Sequence, residues 1–178
     1  SNENDYESNA ASINANFSSD DNNRTWNFGL GYAADRISST NDPTLHEKRR
    51  TGEMLVGVTQ AWTANDLLQL NLTLAAGRGY FSDPYKDVDN RPRERNQAIV
   101  LARWNHYSEA SGGALRSAYR YYHDSFGIDA HTLGAEWVQP IGRFVVTPSL
   151  RYYTQSAASF YFDPIYDPDV GAPYPPGY

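Results

Sequence analysis

The sequence contains no cysteine, one methionine and no long apolar run. Without cysteine, the chain has no disulfide, no thiolate metal ligand and no cysteine nucleophile. Its clearest apolar run, residues 98–102, is far shorter than the roughly 18 residues that a membrane-spanning helix needs. The sequence therefore excludes such a helix. The net charge of −6 argues against nucleic acid as a partner.

A leader sequence is also missing at Ser1, from which we expect a processed chain or a fragment. The length of 178 residues suits a single domain, residues 1–178. A mean hydropathy of −0.67 is typical of soluble proteins. A transmembrane β-barrel can have the same composition, because only alternate residues of its strands face lipid. The abundant residues are aromatic, with 14 Tyr, 7 Phe and 4 Trp.

Apolar residues recur with a period of two, which is the signature of strands with one apolar face. In residues 67–76, for example, four leucines at even positions alternate with polar or small residues. This alternation predicts about eight strands, near residues 11–17, 26–35, 53–62, 67–76, 97–105, 115–122, 132–137 and 144–155. Pro140 and Pro148 interrupt two of these segments, and we interpret them as local bulges or strand ends.

The connections between the predicted strands alternate in length. Short ones rich in Asn, Asp and Gly are expected at 20–23, 64–66, 111–113 and 141–143. Longer ones are expected at 38–52 and 81–95, with a shorter polar link at 124–130 and a Pro- and Tyr-rich extracellular loop or tail at 163–178. Short turns at one end and long loops at the other are typical of outer-membrane barrels, whose short turns are periplasmic.

The aromatic residues favour lipid over a soluble core as the partner of the apolar face. The tryptophans lie toward the short turns, and several tyrosines of the same face lie toward the long loops. Such girdles are selected at bilayer interfaces. We assign to them Trp26, Trp62, Trp104, Trp137, Tyr32, Tyr121 and Tyr152. A soluble barrel or β-sandwich would also alternate and remains the alternative.

The predicted fold is therefore all-β: an antiparallel up-and-down transmembrane β-barrel in a bacterial outer membrane, in contact with lipid and lipopolysaccharide. Lipid-facing positions should be Leu68, Leu70, Leu72, Leu74, Val56, Val58, Phe28, Leu30, Trp104 and Leu133. Interior positions should be Asn71, Thr73, Asn27, Arg103, Arg120, Glu136 and Arg151.

Charged residues of the polar face are candidates for lining a lumen: Arg103, Arg116, Arg120, Glu136, Arg151 and Asp35. One interpretation is a charged lumen that selects solutes. The other is a network of ion pairs that fills the barrel. In either case we expect Glu136 to pair with at least one of Arg103, Arg120 and Arg151, because a partly desolvated charge needs a partner.

Several motifs carry a resemblance to a known family. They include Arg120–Asp124 (RYYHD), 127–133 (GIDAHTL), 137–142 (WVQPIG), 151–158 (RYYTQSAA) and 82–86 (SDPYK) with 90–92 (NRP). With these motifs the chain resembles an uncharacterised bacterial family called domain of unknown function 3570, over nearly its whole length. The resemblance implies an outer-membrane barrel of a Gram-negative bacterium. It implies no activity and no catalytic residues, and the family's members are considerably longer than this chain.

The densest set of reactive side chains is His123, Asp124 and Ser125 with Asp129 and His131. A metal site or a hydrolase site would use such residue types. Adjacent strand residues point to opposite faces, however, so His123 and Asp124 cannot easily share one centre. We interpret the set as a polar rim and turn, and we expect no metal, no cofactor and no catalytic residue.

Two loops offer weaker candidates. Oxygen ligands for calcium could come from Asp83, Asp87 and Asp89, but Arg91, Arg93 and Arg95 follow, and pairing within the loop is favoured. The segment 46–50 (HEKRR) could bind lipopolysaccharide phosphates, although an ordinary solvated loop is favoured.

Three hypotheses for function follow. The first is a passive outer-membrane channel or transport component. The second is a non-conducting barrel that anchors or scaffolds other envelope proteins. An outer-membrane enzyme comes third, since no nucleophile–base pair stands out.

The positions of the turns also suggest that the chain is an internal portion of a larger barrel. If short turns are periplasmic, both ends of the chain lie outside the cell, whereas a complete barrel has both in the periplasm. We therefore expect that the strands near Ala11 and Leu150 do not pair, and that the intact protein has at least ten strands.

Overall fold

The computed structural model describes residues 5–85 and 90–161, which form one antiparallel sheet. Its strands are β1 (Tyr6–Ser18), β2 (Arg24–Ile37), β3 (Glu47–Ala61), β4 (Asp66–Gly79), β5 (Glu94–Ser108), β6 (Gly113–Asp124), β7 (Asp129–Ile141), β8 (Phe144–Val146) and β9 (Ser149–Gln155). No helix in these two ranges is long and apolar enough to span a membrane. The predicted tail at 163–178 lies outside the described residues.

From β1 to β8 each strand pairs with the next strand in sequence, whereas β9 pairs with β7 beyond the short β8. This order confirms the predicted all-β, up-and-down arrangement. Within the described part of the chain the sheet is open, because β1 pairs with β2 alone and β9 with β7 alone. The expectation that the strands near Ala11 and Leu150 do not pair is thus confirmed.

Two details of the predicted strands are wrong. Residues 144–155 form two strands instead of one. The break lies at Pro148, which has no N–H for the ladder, and it confirms the interpretation of this proline as a bulge or strand end. The Pro148 carbonyl still accepts a hydrogen bond of 3.0 Å from the Trp137 amide. Pro140, in contrast, lies inside β7 near its end. In addition, β3 begins at Glu47 and not near residue 53, so the connection before it is shorter than expected.

The register carries the period-two alternation across the whole sheet. Leu70 lies opposite Val58 and Ala102, whereas Gln69 lies opposite Thr59 and Arg103. We call the side that carries Leu70 the apolar face and the side that carries Gln69 the polar face.

Exposure on the two faces is the reverse of that in a soluble protein. Leu30 is 62% exposed and Leu70 52% exposed, while Asn71 and Thr73 on the polar face are partly buried. Among the described residues the buried hydrophobic side chains are only Ile37, Phe126 and Ala130. The leucines of β4 therefore pack in no apolar core.

The hairpin turns and the longer connections lie at opposite ends of the sheet, as predicted. The turns at 19–23, 62–65, 109–112 and 142–143 are short. Left-handed backbone conformations help to close three of them, at Asn22 (φ 55°), Gly112 (φ 64°) and Gly142 (φ 60°). We call the other end, which carries the connections 38–46, 80–93 and 125–128, the loop end.

Candidate functional site

The polar face carries two groups of charged residues, and the first lies at the loop end. There Arg49 on β3 lies opposite Asp35 on β2. The Arg49 Nε donates a hydrogen bond of 2.8 Å to Asp35 Oδ2, and Ser8 Oγ donates one of 2.7 Å to Asp35 Oδ1. The Asp35 side chain is 4% exposed, so its charge is balanced almost entirely by these partners.

A second buried ion pair lies on β5 and β6. The Arg95 Nη2 lies 2.6 Å from Asp124 Oδ2, whose side chain has no exposed surface. Tyr122 Oη donates to the same oxygen at 2.7 Å. The backbone amides of Phe126 and Ile128 donate to Asp124 Oδ1 at 3.0 and 3.1 Å. Asp124 thus holds the chain reversal after β6 in place.

Phenylalanine rings connect the two ion pairs. The Arg49 guanidinium lies 5.5 Å from the ring centre of Phe81, and the Arg95 guanidinium lies 4.7 Å from that of Phe126. The two rings meet edge to face at 5.9 Å, and Phe126 meets Phe160 at 5.1 Å. Such contacts each contribute about 0.5–1.5 kcal/mol. We call the set Asp35, Arg49, Phe81, Arg95, Tyr122, Asp124 and Phe126 the loop-end cluster.

Gly77 makes room for this bridge. A Cβ at this position would lie 2.8 Å from the tip of the Phe81 ring and 3.3 Å from Thr51 Oγ1. Any larger residue would therefore push Phe81 away from Arg49.

The second charged group lies further from the loop end, on β5, β6, β7 and β9. We call Arg103, Arg116, Arg120 and Arg151 the arginine patch. Together with Glu136 they line a cavity of about 610 Å³ on the polar face. All five residues are among the lumen candidates predicted from the sequence, and the fold brings them to one cavity.

The arginines of the patch have few partners. Arg103 Nη1 donates a long hydrogen bond of 3.4 Å to Gln69 Oε1, and the Arg120 guanidinium lies 5.5 Å from the Tyr122 ring centre. Among residues 5–85 and 90–161, none of the four lies within 4.0 Å of a carboxylate oxygen. The expected pairing of Glu136 is therefore wrong. Glu136 lies opposite Arg116 in the register, but its side chain is exposed, so it needs no ionic partner.

The reactive set near His123 divides between the two faces, as expected from strand geometry. His123 Nδ1 lies 2.9 Å from Asp129 Oδ1 on the apolar face, while Asp124 belongs to the loop-end cluster on the other. Ser125 Oγ accepts a hydrogen bond from the Asn96 amide at 3.0 Å. His131 contacts Tyr119 Oη at 2.7 Å. These side chains do not form a catalytic triad.

Two predictions about the loops are corrected. Residues 47–50 belong to β3 and not to a solvated loop, because the backbone ladder with β2 extends to Glu47. Arg93 and Arg95 pair outside their own loop, with Glu47 at 2.5 Å and with Asp124. Asp87 and Asp89 lie outside the described residues. The described residues contain no group of three or more side chains that could hold a metal ion.

The predicted girdle residues lie on the apolar face of their strands, and Trp62 directly follows β3. The largest exposed fractions are 73% at Trp62 and 62% at Tyr152. Trp104 Nε1 donates to Asp66 Oδ1 at 2.9 Å, and Trp137 Nε1 donates to Gln139 Oε1 at 2.9 Å. Both indoles are thus anchored by their polar edge toward the turns.

Comparison with known proteins places the chain in a family. The family model described as "Protein of unknown function (DUF3570)" matches residues 39–174. The chain belongs to this family. The DUF3570 match confirms the resemblance inferred from the sequence motifs and spans both the loop-end cluster, apart from Asp35, and the whole arginine patch. No curated protein and no solved structure matches the chain.

The aromatic bridge between the two ion pairs, formed by Phe81 and Phe126, was not predicted from the sequence. Phe81 and Phe126 lie in connections between strands, where no alternation marks them. Each phenylalanine stands alone beside polar residues of its loop. This pattern could have predicted the packing, since a large apolar side chain in a polar loop often packs inward.

Proposed function

We propose that this chain forms the wall of an outer-membrane β-barrel that acts as a passive channel. The observation that carries the proposal is the reversed exposure of the two faces. Large apolar side chains such as Leu30 and Leu70 cover the exposed apolar face, while Asn, Thr, Gln and Arg lie on the polar face. A sheet with this distribution is stable when lipid covers the apolar face and water or polar groups cover the polar one.

The stagger of the strands supports a barrel. One register row runs from Thr25 on β2 to Gly134 on β7, across five strand-to-strand steps. Thr25 is one residue from the turn end of β2 at Arg24, whereas Gly134 is seven residues from the turn end of β7 at Ile141. A shift of six residues at about 3.3 Å, over five steps of about 4.8 Å, corresponds to a tilt of about 40°. Transmembrane barrels have strand tilts of roughly 35–45°.

Further strands are part of the proposal. Within the described part of the chain the outer edges of β1 and β9 have no strand partner, and unpaired backbone groups cost several kcal/mol each in lipid. We infer that additional strands close the barrel. A total of at least ten strands stays a prediction.

A non-conducting scaffold barrel is the second candidate, and the loop-end cluster is the observation that favours it. Two ion pairs and three phenylalanines cover part of the polar face at that end. If they fill the cross-section of the closed barrel, solutes cannot pass. The open cavity beside the arginine patch favours the channel instead.

Cysteine labelling can test the membrane barrel that both candidates share, since the sequence has no cysteine of its own. Leu72 and Thr73 are neighbours in β4 on opposite faces, so Leu72→Cys and Thr73→Cys form a matched pair. In lipid vesicles, a water-soluble maleimide should label Thr73→Cys rapidly and Leu72→Cys at least about tenfold more slowly, because a thiol in lipid is not ionised. Equal labelling of both would contradict the barrel.

Conductance then distinguishes a channel from a scaffold. The purified protein in a planar bilayer should give discrete conductance steps. Labelling of Thr73→Cys without conductance would identify a water-containing barrel that is closed at the loop end, and would overturn the channel.

A further inference from the structure

We propose that the arginine patch is a binding site for soluble multivalent oxyanions, which makes the channel selective for anions. The inference deepens the proposed function and rests on it for the part that concerns permeation. Its basis is the placement of four guanidinium groups, none with a carboxylate partner among the described residues, around one open cavity on the polar face.

The floor of the cavity consists of small residues. In one register row Arg103, Ala118, Gly134 and Arg151 lie side by side on β5, β6, β7 and β9. Three steps of about 4.8 Å place the backbones of Arg103 and Arg151 roughly 14 Å apart. Ala118 and Gly134 between them leave this space unfilled, and even a Cβ at Gly134 would meet only the Leu150 carbonyl, at 4.0 Å.

The remaining arginines close the other two sides. Arg116 and Arg120 are two residues before and after Ala118, so they share its face and lie about 7 Å from it along the strand. The four side chains therefore surround the floor. Long flexible arginines on a floor of this size can converge on a ligand that has more than one anionic group.

The charge of the cavity favours anions strongly. Four guanidinium groups face one carboxylate, that of Glu136, although the whole chain carries a net charge of −6. Two other arginines of the polar face, Arg49 and Arg95, do have buried carboxylate partners, and both belong to the loop-end cluster. The charge of the patch is therefore not balanced by the described part of the chain.

The chemistry of arginine defines the class of ligand. Guanidinium groups bind phosphate and carboxylate oxygens through two parallel N–H donors, whereas chloride offers no matching pair of acceptors. Compact ligands with two such groups, such as diphosphates and dicarboxylates, can be contacted by opposite arginines whose side chains reach inward over the roughly 14 Å between their backbones. Thr132 and Ser149 at the rim add hydroxyl donors.

Binding to the full-length protein in detergent is the first test, with inorganic pyrophosphate as the probe in isothermal titration calorimetry. Each of the variants Arg103→Gln, Arg120→Gln and Arg151→Gln should weaken binding about threefold or more, as expected for one charge at about 6 Å in a watery site. Glu136→Gln should strengthen it by a similar factor. Arg143→Gln, which removes a charge from the β7–β8 turn outside the cavity, is the matched control and should change nothing.

Selectivity in the planar bilayer is the second test. In a potassium chloride gradient the reversal potential should show preference for chloride, and pyrophosphate should reduce the chloride current at concentrations near its dissociation constant. Both effects should weaken in Arg103→Gln/Arg151→Gln and persist in Arg143→Gln.

The two tests separate the inference from the proposed function. Conductance without anion preference, or pyrophosphate binding that is absent or unaffected by all three arginine variants, would overturn the anion site while leaving the channel intact. Pyrophosphate binding that weakens in the variants without any conductance would support the site and overturn the channel.

Discussion

The loop-end cluster and the arginine patch lie on the same face of the same sheet, but the arginines of the cluster are paired with carboxylates and those of the patch are not. In the cluster, each arginine meets a carboxylate that is almost completely buried, at 2.8 Å for Arg49 and 2.6 Å for Arg95. In the patch, four arginines share one exposed carboxylate that pairs with none of them.

The difference follows from burial. A carboxylate without exposed surface loses its hydration and remains charged only if cations and N–H groups replace the water. An arginine at the edge of an open cavity keeps its hydration and needs no partner. The cluster therefore stabilises the fold, and the patch is free to meet a ligand. Three substitutions test this division, and a fourth prediction concerns a turn outside both regions.

The largest effect is expected from Asp124→Ala. The substitution leaves Arg95 without its anion, and the Phe126 and Ile128 amides without their acceptor, in a buried setting. We expect the free energy of unfolding to fall by about 3–5 kcal/mol. The measurement is denaturant unfolding in lipid vesicles. Glu7→Ala is the control, because it breaks the exposed Arg36–Glu7 pair and should cost less than about 1 kcal/mol. Similar losses for both variants would show that burial does not distinguish the pairs.

Phe126→Leu should have the next largest effect. It keeps most of the apolar volume but removes the ring that contacts Arg95, Phe81 and Phe160. We expect a loss of about 2 kcal/mol in the same assay. Phe144→Leu, at a position 63% exposed, should change stability by less than about 0.5 kcal/mol if lipid accepts leucine as readily. An unchanged stability of Phe126→Leu would mean that the rings only fill space.

A substitution in the arginine patch should change the free energy of unfolding less. Arg151→Gln should leave the free energy of unfolding within about 0.5 kcal/mol of the parent value, since no ion pair is lost. Arg95→Gln, the equivalent change in the cluster, should cost about 3 kcal/mol because it leaves Asp124 unpaired. A large destabilisation by Arg151→Gln would assign the patch a structural role.

The smallest effect concerns Asp21, in the β1–β2 turn outside both regions. Hydrogen bonds from Ser19 Oγ, at 2.5 Å, and from the Asn23 amide, at 3.1 Å, lower the pKa of the Asp21 carboxyl from 3.8 to about 2. A lowered pKa means that these bonds stabilise the turn above about pH 4 and are lost as the pH falls through about 2. A carboxyl-carbon NMR titration should show this pKa, and Ser19→Ala should raise it toward 3.8. An ordinary pKa in the parent protein would show that the turn is open in solution.

The strands could be predicted from sequence where the two faces differ in chemistry. In β4 the leucines alternate with Gln69, Asn71 and Thr73, and both the strand and its facing follow from that alternation. The start of β3 could not be predicted from the sequence. Lys48 and Arg50 lie on the apolar face there, so the alternation of apolar and polar residues is lost. Only the backbone ladder with β2 shows that these residues are extended.

The charged groups were predictable as members of a face but not as pairs. Arg103, Arg116, Arg120, Arg151 and Glu136 share the cavity that their alternation implied. Which acid meets which arginine depends on burial, and burial depends on how the connections fold over the sheet. Asp124 is buried because Phe126 and Ile128 turn back onto it, and Asp35 because Arg49 and Ser8 cover it. Neither arrangement produces a periodic pattern in the sequence, so neither could be predicted from it.

The local pairing of the strands has a consequence for the order in which the protein folds. Every ladder except β7–β9 joins neighbouring strands, and β7 and β9 are separated only by the short β8, so the sheet can grow one hairpin at a time with little entropy lost in closing long loops. The contacts of Phe81 with Phe126 and of Tyr85 with Asp5 are different, because they join segments separated by whole hairpins. They can form only after the hairpins stand side by side. The contact between Phe81 and Phe126 therefore should form late in folding, after the two ion pairs of the loop-end cluster, which join neighbouring strands, so that slow refolding phases report on this contact and fast ones on the hairpins.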